Sequence, residues 1–430
     1  MKTDKTKTLQ RKIEVCAHWS GLSKPALMGI LYFAPSRGKE IVSFEYHKEW
    51  LLSPRAQILD PSLRLYTGRQ YATENQHNFG IFLDSSPDRW GRILMKKREE
   101  QIARKEKREP RELLESDYLL GVFDAHRMGG LRFRADPNGP FLDDQRSYAS
   151  PPWTSLRELE YASLALEKDH SEGDTNSSKW LEILVVPGSS LGGARPKASV
   201  IDEHKALWIA KFPSSNDKTD IGAWEEVVNK LAKSAGVNVA EAHSRNFGGH
   251  HRTFLTKRFD RNESGERLHF ASAMTLLQRT DGDDASQGVS YLELVEFLIQ
   301  RGSNTPKDLE ELWRRIVFFI CVSNTDDHLR NHGFLLESNG WRLAPAYDIN
   351  PVPFGEGLKL NISEADNSQD LELAKSVAKY FRLKKDKTDK IIREVVNVVK
   401  TWRTIAHSLS ISKTEQDQMA AAFRIAEKEN

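Results

Sequence analysis

At 430 residues, 39% hydrophobic and 29% charged, the chain has the composition of a water-soluble protein with two or three cores. Its 63 Lys and Arg stand against 61 Asp and Glu, so whole-chain electrostatics give no case for direct nucleic-acid binding. Two cysteines, Cys16 and Cys321, exclude a disulfide framework and favour a reducing compartment.

The basic opening MKTDKTKTLQRK is followed by no apolar segment of signal-peptide length. No stretch approaches the roughly 20 apolar residues of a membrane span, and a cytosolic location is expected. Residues 11 to about 90 read as β-rich, with apolar runs such as Leu27–Phe33 and Ile41–Tyr46 between turn clusters. A helix is expected from about Gly91 to Arg111, carrying the basic run KKREEQIARKEKREPR. That run is either a partner-facing surface or a solvated helical face. Residues 136–180 hold Asp-Pro, Asn-Gly-Pro and Pro-Pro breakers and read as a domain junction or a partly mobile connection.

EILVVPGSSLGGARPKASVI, 182–201, sets two β-type runs around a loop with Gly188, Gly192 and Gly193. Glycine allows backbone N–H groups to approach a polyphosphate, although the same loop would serve an ordinary hairpin. It lacks GxxxxGK[ST], so it is not a P-loop. Lys197 enters the second strand, Lys211 lies near the end of LWIAKF, and Glu225 near the start of an amphipathic helix, Trp224–Ala235. A strand lysine paired with a glutamate on the next helix is how protein kinases fix the α- and β-phosphates. FLTKRFD, 254–260, looks like a strand leaving this β layer. Beyond Leu268 helices are expected at Ala271–Arg279, Tyr291–Gln300, Asp308–Val322, Leu371–Arg382, Lys387–Leu409 and Thr414–Glu429. There is no internal repeat.

The run Ile316–Val322 predicts two turns of buried helix, after which the composition turns polar through Ser323, Asn324, Thr325, Asp326, Asp327, His328, Asn331 and His332. Two apolar segments follow, joined at Asn339-Gly340, a dipeptide that favours a type I′ hairpin turn. With those two as loop residues, Ser338 faces Trp341 and, counting outward, Asn331 faces Asp348, although Pro345 weakens the ladder there. An Asp that orients a hydroxyl, then an Asn and a second Asp offering hard oxygens to Mg²⁺, equip a loop for phosphoryl transfer. Such residues also cap helices and fill turns.

SSLGGARPK at 189–197, TKRFDR at 256–261, NTDDHLRN at 324–331 and AYDINP at 346–351 together resemble the HipA-type serine/threonine kinases, toxins of bacterial toxin–antitoxin pairs. FLDSSPDRWGR at 82–92 and LLGVFDAHRMGGLRF at 119–133 resemble that family's N-terminal subdomain. The resemblance implies an α+β, two-lobed, protein-kinase-like fold with an extra β-rich N-terminal subdomain and an all-helical C-terminal lobe. Its expected boundaries are 1–150, 151–260 and 261–430. It further implies Asp326 as catalytic base and Asn331 and Asp348 as Mg²⁺ ligands, with His328 and Tyr347 beside the nucleotide. Gly192, Gly193, Ala194, Arg195, Pro196 and Lys197 would cradle the ATP phosphates, with Lys211 contacting them and Glu225 pairing with Lys211. Lys257, Arg258 and Phe259 would form the adenine hinge, with Asp260 near the ribose. Ser190, ahead of Ser189, matches the family's autophosphorylated serine. The implied partners are a HipB-like helix-turn-helix antitoxin, operator DNA mainly through it, and a protein substrate of the aminoacyl-tRNA synthetase class. GARPK in the loop and Asp327 depart from the family's pattern and bear on fine specificity. Two other readings stand beside this one. The first is a nucleotide-binding pseudokinase co-repressor. The second is a metallophosphoesterase using Asp326, Asp327, His328, His332 and Asp348, which leaves the Gly loop and Lys211 without a role.

Overall fold

The structure, a computed structural model, describes residues 10–36, 38–73, 76–142, 152–168, 184 and 195–429. The first sheet comes from strands β1 (Arg11–Ala17), β2 (Ala26–Ser36), β3 (Lys39–Tyr46), β4 (Arg69–Tyr71) and β5 (Leu131–Arg134). They lie in the order β4-β3-β2-β1-β5, each neighbour antiparallel. Period-2 alternation puts Val42, Phe44 and Tyr46 of β3 into the core with Leu31, Phe33 and Phe133. Asp88 caps the following helix, Arg89–Lys105. The helix stops short of the expected Arg111. Lys107 takes a positive φ of 54°, and Arg108 and Arg111 turn back onto Glu99 and Asp117. Arg108 and Arg111 of the expected basic surface are thus engaged in pairs within the fold.

Strands β6 (Lys197–Ile201), β7 (Leu207–Lys211), β8 (Ala242–Arg245) and β9 (Thr253–Lys257) form a second antiparallel sheet, ordered β6-β7-β9-β8. Its two faces part by alternation. Ala198, Val200, Trp208, Ala210, Phe212 and Leu255 pack outward under Trp90, Leu94 and the helix Leu156–Lys168. That last helix was not expected, because the breakers around it dominate the reading of 136–180. Lys197, Ile209, Lys211 and Phe254 face the other way. The helix Ile221–Ser234 covers part of that side and is held from below, since Glu415 accepts the Asp220 N–H and the Trp224 Nε1–H, both at 2.8 Å.

The C-terminal half is mainly helical, with Tyr291–Arg301, Thr305–Val322, Leu371–Val377 and Lys385–Val399 around one core. Every residue from Arg315 to Val322 is buried, as the apolar run predicts. This half also carries a three-stranded sheet, β10 (Phe270–Ser272), β11 (Gly333–Glu337) and β12 (Gly340–Leu343), where an all-helical lobe was expected. The expected helix Lys387–Leu409 is two, ending at Val399 and resuming at Trp402.

The hairpin register differs from the computed one. Glu337 faces Gly340 and Leu336 faces Trp341, so the loop residues are Ser338 and Asn339, and Asn331 does not oppose Asp348. Packing overrides the Asn-Gly preference. Gly340 lies against the Arg301–Ser303 backbone, where a Cβ would meet the Arg301 carbonyl at 2.5 Å. The glycine is spent on close approach rather than on the turn.

Candidate active site

Strand alternation and pairing build one wall of the site. Lys197 of β6 stands directly opposite Lys211 of β7, both on the face away from the outer core. They line a cleft between the second sheet and the segment Ala346–Ile349. Lys211 Nζ lies 2.5 Å from Glu225 Oε1 and 2.7 Å from Asp348 Oδ1. Burial works against its charge, but Asp348 and Glu225 outweigh it and hold the pKa above the ordinary lysine value. Asp348 is the mirror image. Burial opposes its ionisation, yet Lys211, helped by Lys197 and His328, keeps its carboxyl well below the usual range. Burial lifts Glu225 against the pull of Lys211. Asp348 has a positive φ of 57°, tolerable for Asp, and such backbone persists where the surroundings fix it.

The polar loop follows from helix termination. Ser323 ends Thr305–Val322 in the left-handed conformation at φ 50°. Its carbonyl accepts the Val352 N–H at 3.1 Å, and Asn324 Oδ1 accepts the Asn350 N–H at 3.1 Å. Tyr347 donates its hydroxyl to the Arg330 carbonyl at 2.6 Å. These bonds lock the loop to the Asp348 segment and replace the cross-strand pairing that was expected. Asp326 is exposed and lines a second, open cleft with His328, Arg330 and Tyr347 on one side and Ser86 to Arg89 on the other. Tyr347 lines both clefts. Asn331 donates Nδ2 to the Asp326 carbonyl at 3.2 Å, which leaves its amide oxygen as the atom for a cation. An amide oxygen and an ionised carboxylate are hard donors of the kind Mg²⁺ takes, with water and phosphate oxygens filling the rest of its shell. Among the described residues no cluster of three His, Cys, Asp or Glu could hold a metal by itself.

Other predicted residues are placed differently. Asp327 accepts Tyr291 Oη–H at 2.6 Å and lies 2.7 Å from His332 Nε2, all three buried, so the two are structural supports beneath Asp326. That removes two of the five groups a phosphoesterase would use. Asp260 lines the first cleft, as expected, but its carboxylate is engaged within the fold. It is fully buried, bonded to Arg258 at 2.7 and 2.8 Å, to Arg261 and to the Gly129 N–H. Arg258 turns its guanidinium to the His126 and Arg127 carbonyls, leaving only its main chain on the hinge side. Phe259 lines the first cleft and packs on Tyr347 with ring centroids 5.4 Å apart, and Lys257 continues β9 beside it. Arg195 pairs with Asp217, and Pro196 accepts the Phe212 N–H. Ser189, Ser190, Gly192, Gly193 and Ala194 lie outside the described residues. Unforeseen from sequence is Asp88, 3.0 Å from Lys197 Nζ and 109 positions away.

Residues 189–402 match the family model of the HipA-like C-terminal domain. This segment is a HipA-like C-terminal domain. Beyond it, the chain is 30% identical over 187 residues to a putative kinase of Haemophilus influenzae, covering 39% of this chain and 54% of that one. It is 26% identical over 206 residues to the serine/threonine-protein kinase toxin HipA of Shewanella oneidensis, covering 42% and 47%. The chain thus spans about half the length of these curated relatives. A solved structure of the Shewanella oneidensis HipA, HipB and operator DNA complex superposes with a TM-score of 0.66 at 19% identity, covering 97% of each chain. This likeness shows that the chain shares the fold of the Shewanella protein.

Proposed function

We propose that this chain is an ATP- and Mg²⁺-dependent serine/threonine protein kinase acting as the toxin of a HipBA-like pair. The observation that carries the reading is Lys211, held between Glu225 and Asp348 on the wall of the first cleft. A lysine fixed this way, with one buried carboxylate behind it and one partly exposed carboxylate facing the cleft, is placed to meet nucleotide phosphates. Asn331 and Asp348 would hold Mg²⁺, which supplies charge neutralisation for the phosphate oxygens. Adenine rests on the hinge backbone at Lys257–Phe259. From the second cleft an acceptor hydroxyl approaches Asp326. Its oxygen bonds to the γ-phosphorus as the bond to the ADP oxygen breaks, ADP leaves with that electron pair, and Asp326 takes the proton. Lys211 and the loop residues hold the phosphates in line for this exchange.

Finer points extend the same reading. The acceptor is a cytosolic protein, with an aminoacyl-tRNA synthetase first to test, and a HipB-like antitoxin tethers the chain to operator DNA. Phosphate on Ser190, adding about −1.5 to −2 charge, would compete with ATP for the loop amides and switch the enzyme off. The test is transfer from labelled ATP by wild type, Asp326→Asn and Asp348→Asn, with and without Mg²⁺. Expected is metal-dependent transfer by wild type and a loss of at least about 10²-fold in each variant with the fold intact. Full activity in either variant sinks the assignment. A wild type that binds ATP without transferring it leaves the co-repressor reading.

A further inference from the structure

The N-terminal part of the chain reaches into this site at one charged contact. Lys197 and Lys211 oppose each other across β6 and β7, and like charges so placed repel. Each therefore needs a carboxylate. Lys211 takes Glu225 and Asp348, both from the HipA-like domain. Lys197 takes Asp88, which lies outside it. The Nζ–Oδ2 distance is 3.0 Å, and the two side chains are 3% and 1% exposed. Asp88 Oδ1 accepts the Gly91 N–H at 2.7 Å as the cap of Arg89–Lys105, so both its oxygens are fixed. Lys197 lines the first cleft and Asp88 the second, which makes the pair part of the partition between them. Buried ion pairs are poor stabilisers, since apolar residues of equal volume serve as well or better. The location of this one assigns it a different task.

We propose that Asp88 is a positioning residue for phosphotransfer: it holds the Lys197 ammonium at the partition where nucleotide phosphates and acceptor meet. The phosphate-binding surface is then complete only when the N-terminal subdomain is docked. This rests on reading the first cleft as the nucleotide site. Without the Asp88 charge, the Lys197 ammonium loses the carboxylate that fixes it at the partition, and its grip on the phosphates weakens.

Asp88→Asn tests this cleanly, because Asn caps helices as well as Asp and the volume is unchanged. Affinities for Mg²⁺-ATP and for adenosine would be measured calorimetrically on wild type, D88N, K197M and the double variant, with single-turnover transfer rates beside them. In D88N, ATP affinity should fall about tenfold while adenosine affinity stays within about twofold. In the K197M background, D88N should add nothing, because the residue acts through Lys197. Unchanged or tighter ATP binding, an equal loss for adenosine, or additive losses in the double variant would each overturn the proposal and leave Asp88 a helix cap. Should D88N not fold, D88E keeps the charge but shifts the ammonium. It should weaken ATP and not adenosine, and unaltered ATP binding again overturns the proposal. If wild type binds ATP yet transfers nothing, the kinase reading fails while the binding cycle still decides on Asp88. A wild type that binds no ATP ends both.

Discussion

Lys211 is 12% exposed and Glu225 5%, and Glu225 would not remain charged there without Lys211, which Asp348 also holds. Removing one partner of such a pair strands a buried charge, at a cost of about 3–5 kcal/mol, whereas replacing both by apolar groups is near neutral. Lys211→Met alone should therefore lower stability by about 3 kcal/mol in urea, and Lys211→Met with Glu225→Met should recover most of it. Neither variant should transfer phosphate. A single variant as stable as wild type would show that solvent reaches the pair. Residues of this kind were legible in sequence because strand lysine, helix glutamate and loop carboxylate recur at readable places. The engagement of the Asp260 carboxylate was not, since the Gly129 N–H that it accepts lies 131 positions away. Asp88 was hidden for the same reason, its lysine lying 109 positions away.

Between elements, the lesson concerns which constraint sets a register. Asn339-Gly340 has the local chemistry of a type I′ turn, yet the loop is Ser338-Asn339 and Gly340, at φ 142°, packs on the earlier connection Arg301–Ser303. Ser303 donates its N–H to the Trp341 carbonyl at 2.8 Å, so the hairpin is pulled against the Arg301–Ser303 backbone. Local preference of a few tenths of a kcal/mol cannot resist that contact. Gly340→Ala should accordingly cost about 1–3 kcal/mol by steric conflict with the Arg301 carbonyl. Asn339→Ala should stay within about 0.5 kcal/mol, since that side chain makes one long 3.3 Å bond to Ser303. Thermal melts of the two variants decide the matter, and the reverse order would restore the turn-driven register. Helix existence was read well, as in Tyr291–Arg301 and Thr305–Val322. Helix ends were read poorly, as at Thr401, where tertiary contacts of Trp402 with Trp224 and Phe423 divide one amphipathic run.

Across the molecule, the N-terminal part of the chain is bound to the HipA-like domain by more than Asp88. Arg258, Arg261 and Arg267 donate to main-chain carbonyls between Asp124 and Gly129, and Ser20 donates its N–H to the Arg267 carbonyl at 2.7 Å. His269 sits at the centre of this junction. It is 1% exposed, stacked on Trp19 at 4.8 Å and beside Trp341 at 5.9 Å. Burial pushes its pKa down to about 3. In the unfolded chain the same imidazole takes a proton near pH 6.5, so between those values the unfolded state binds more protons. His269 therefore contributes stability in full above about pH 6.5, and loses it as pH falls toward 3, at up to about 1.4 kcal/mol per pH unit. His269→Phe keeps an aromatic ring against Trp19 and removes the titration. Urea midpoints measured from about pH 7 to about pH 4.5 should fall more steeply for wild type than for H269F. Parallel slopes would mean that His269 is protonated within the fold, and the junction would then have to open to water before the rest of the molecule unfolds.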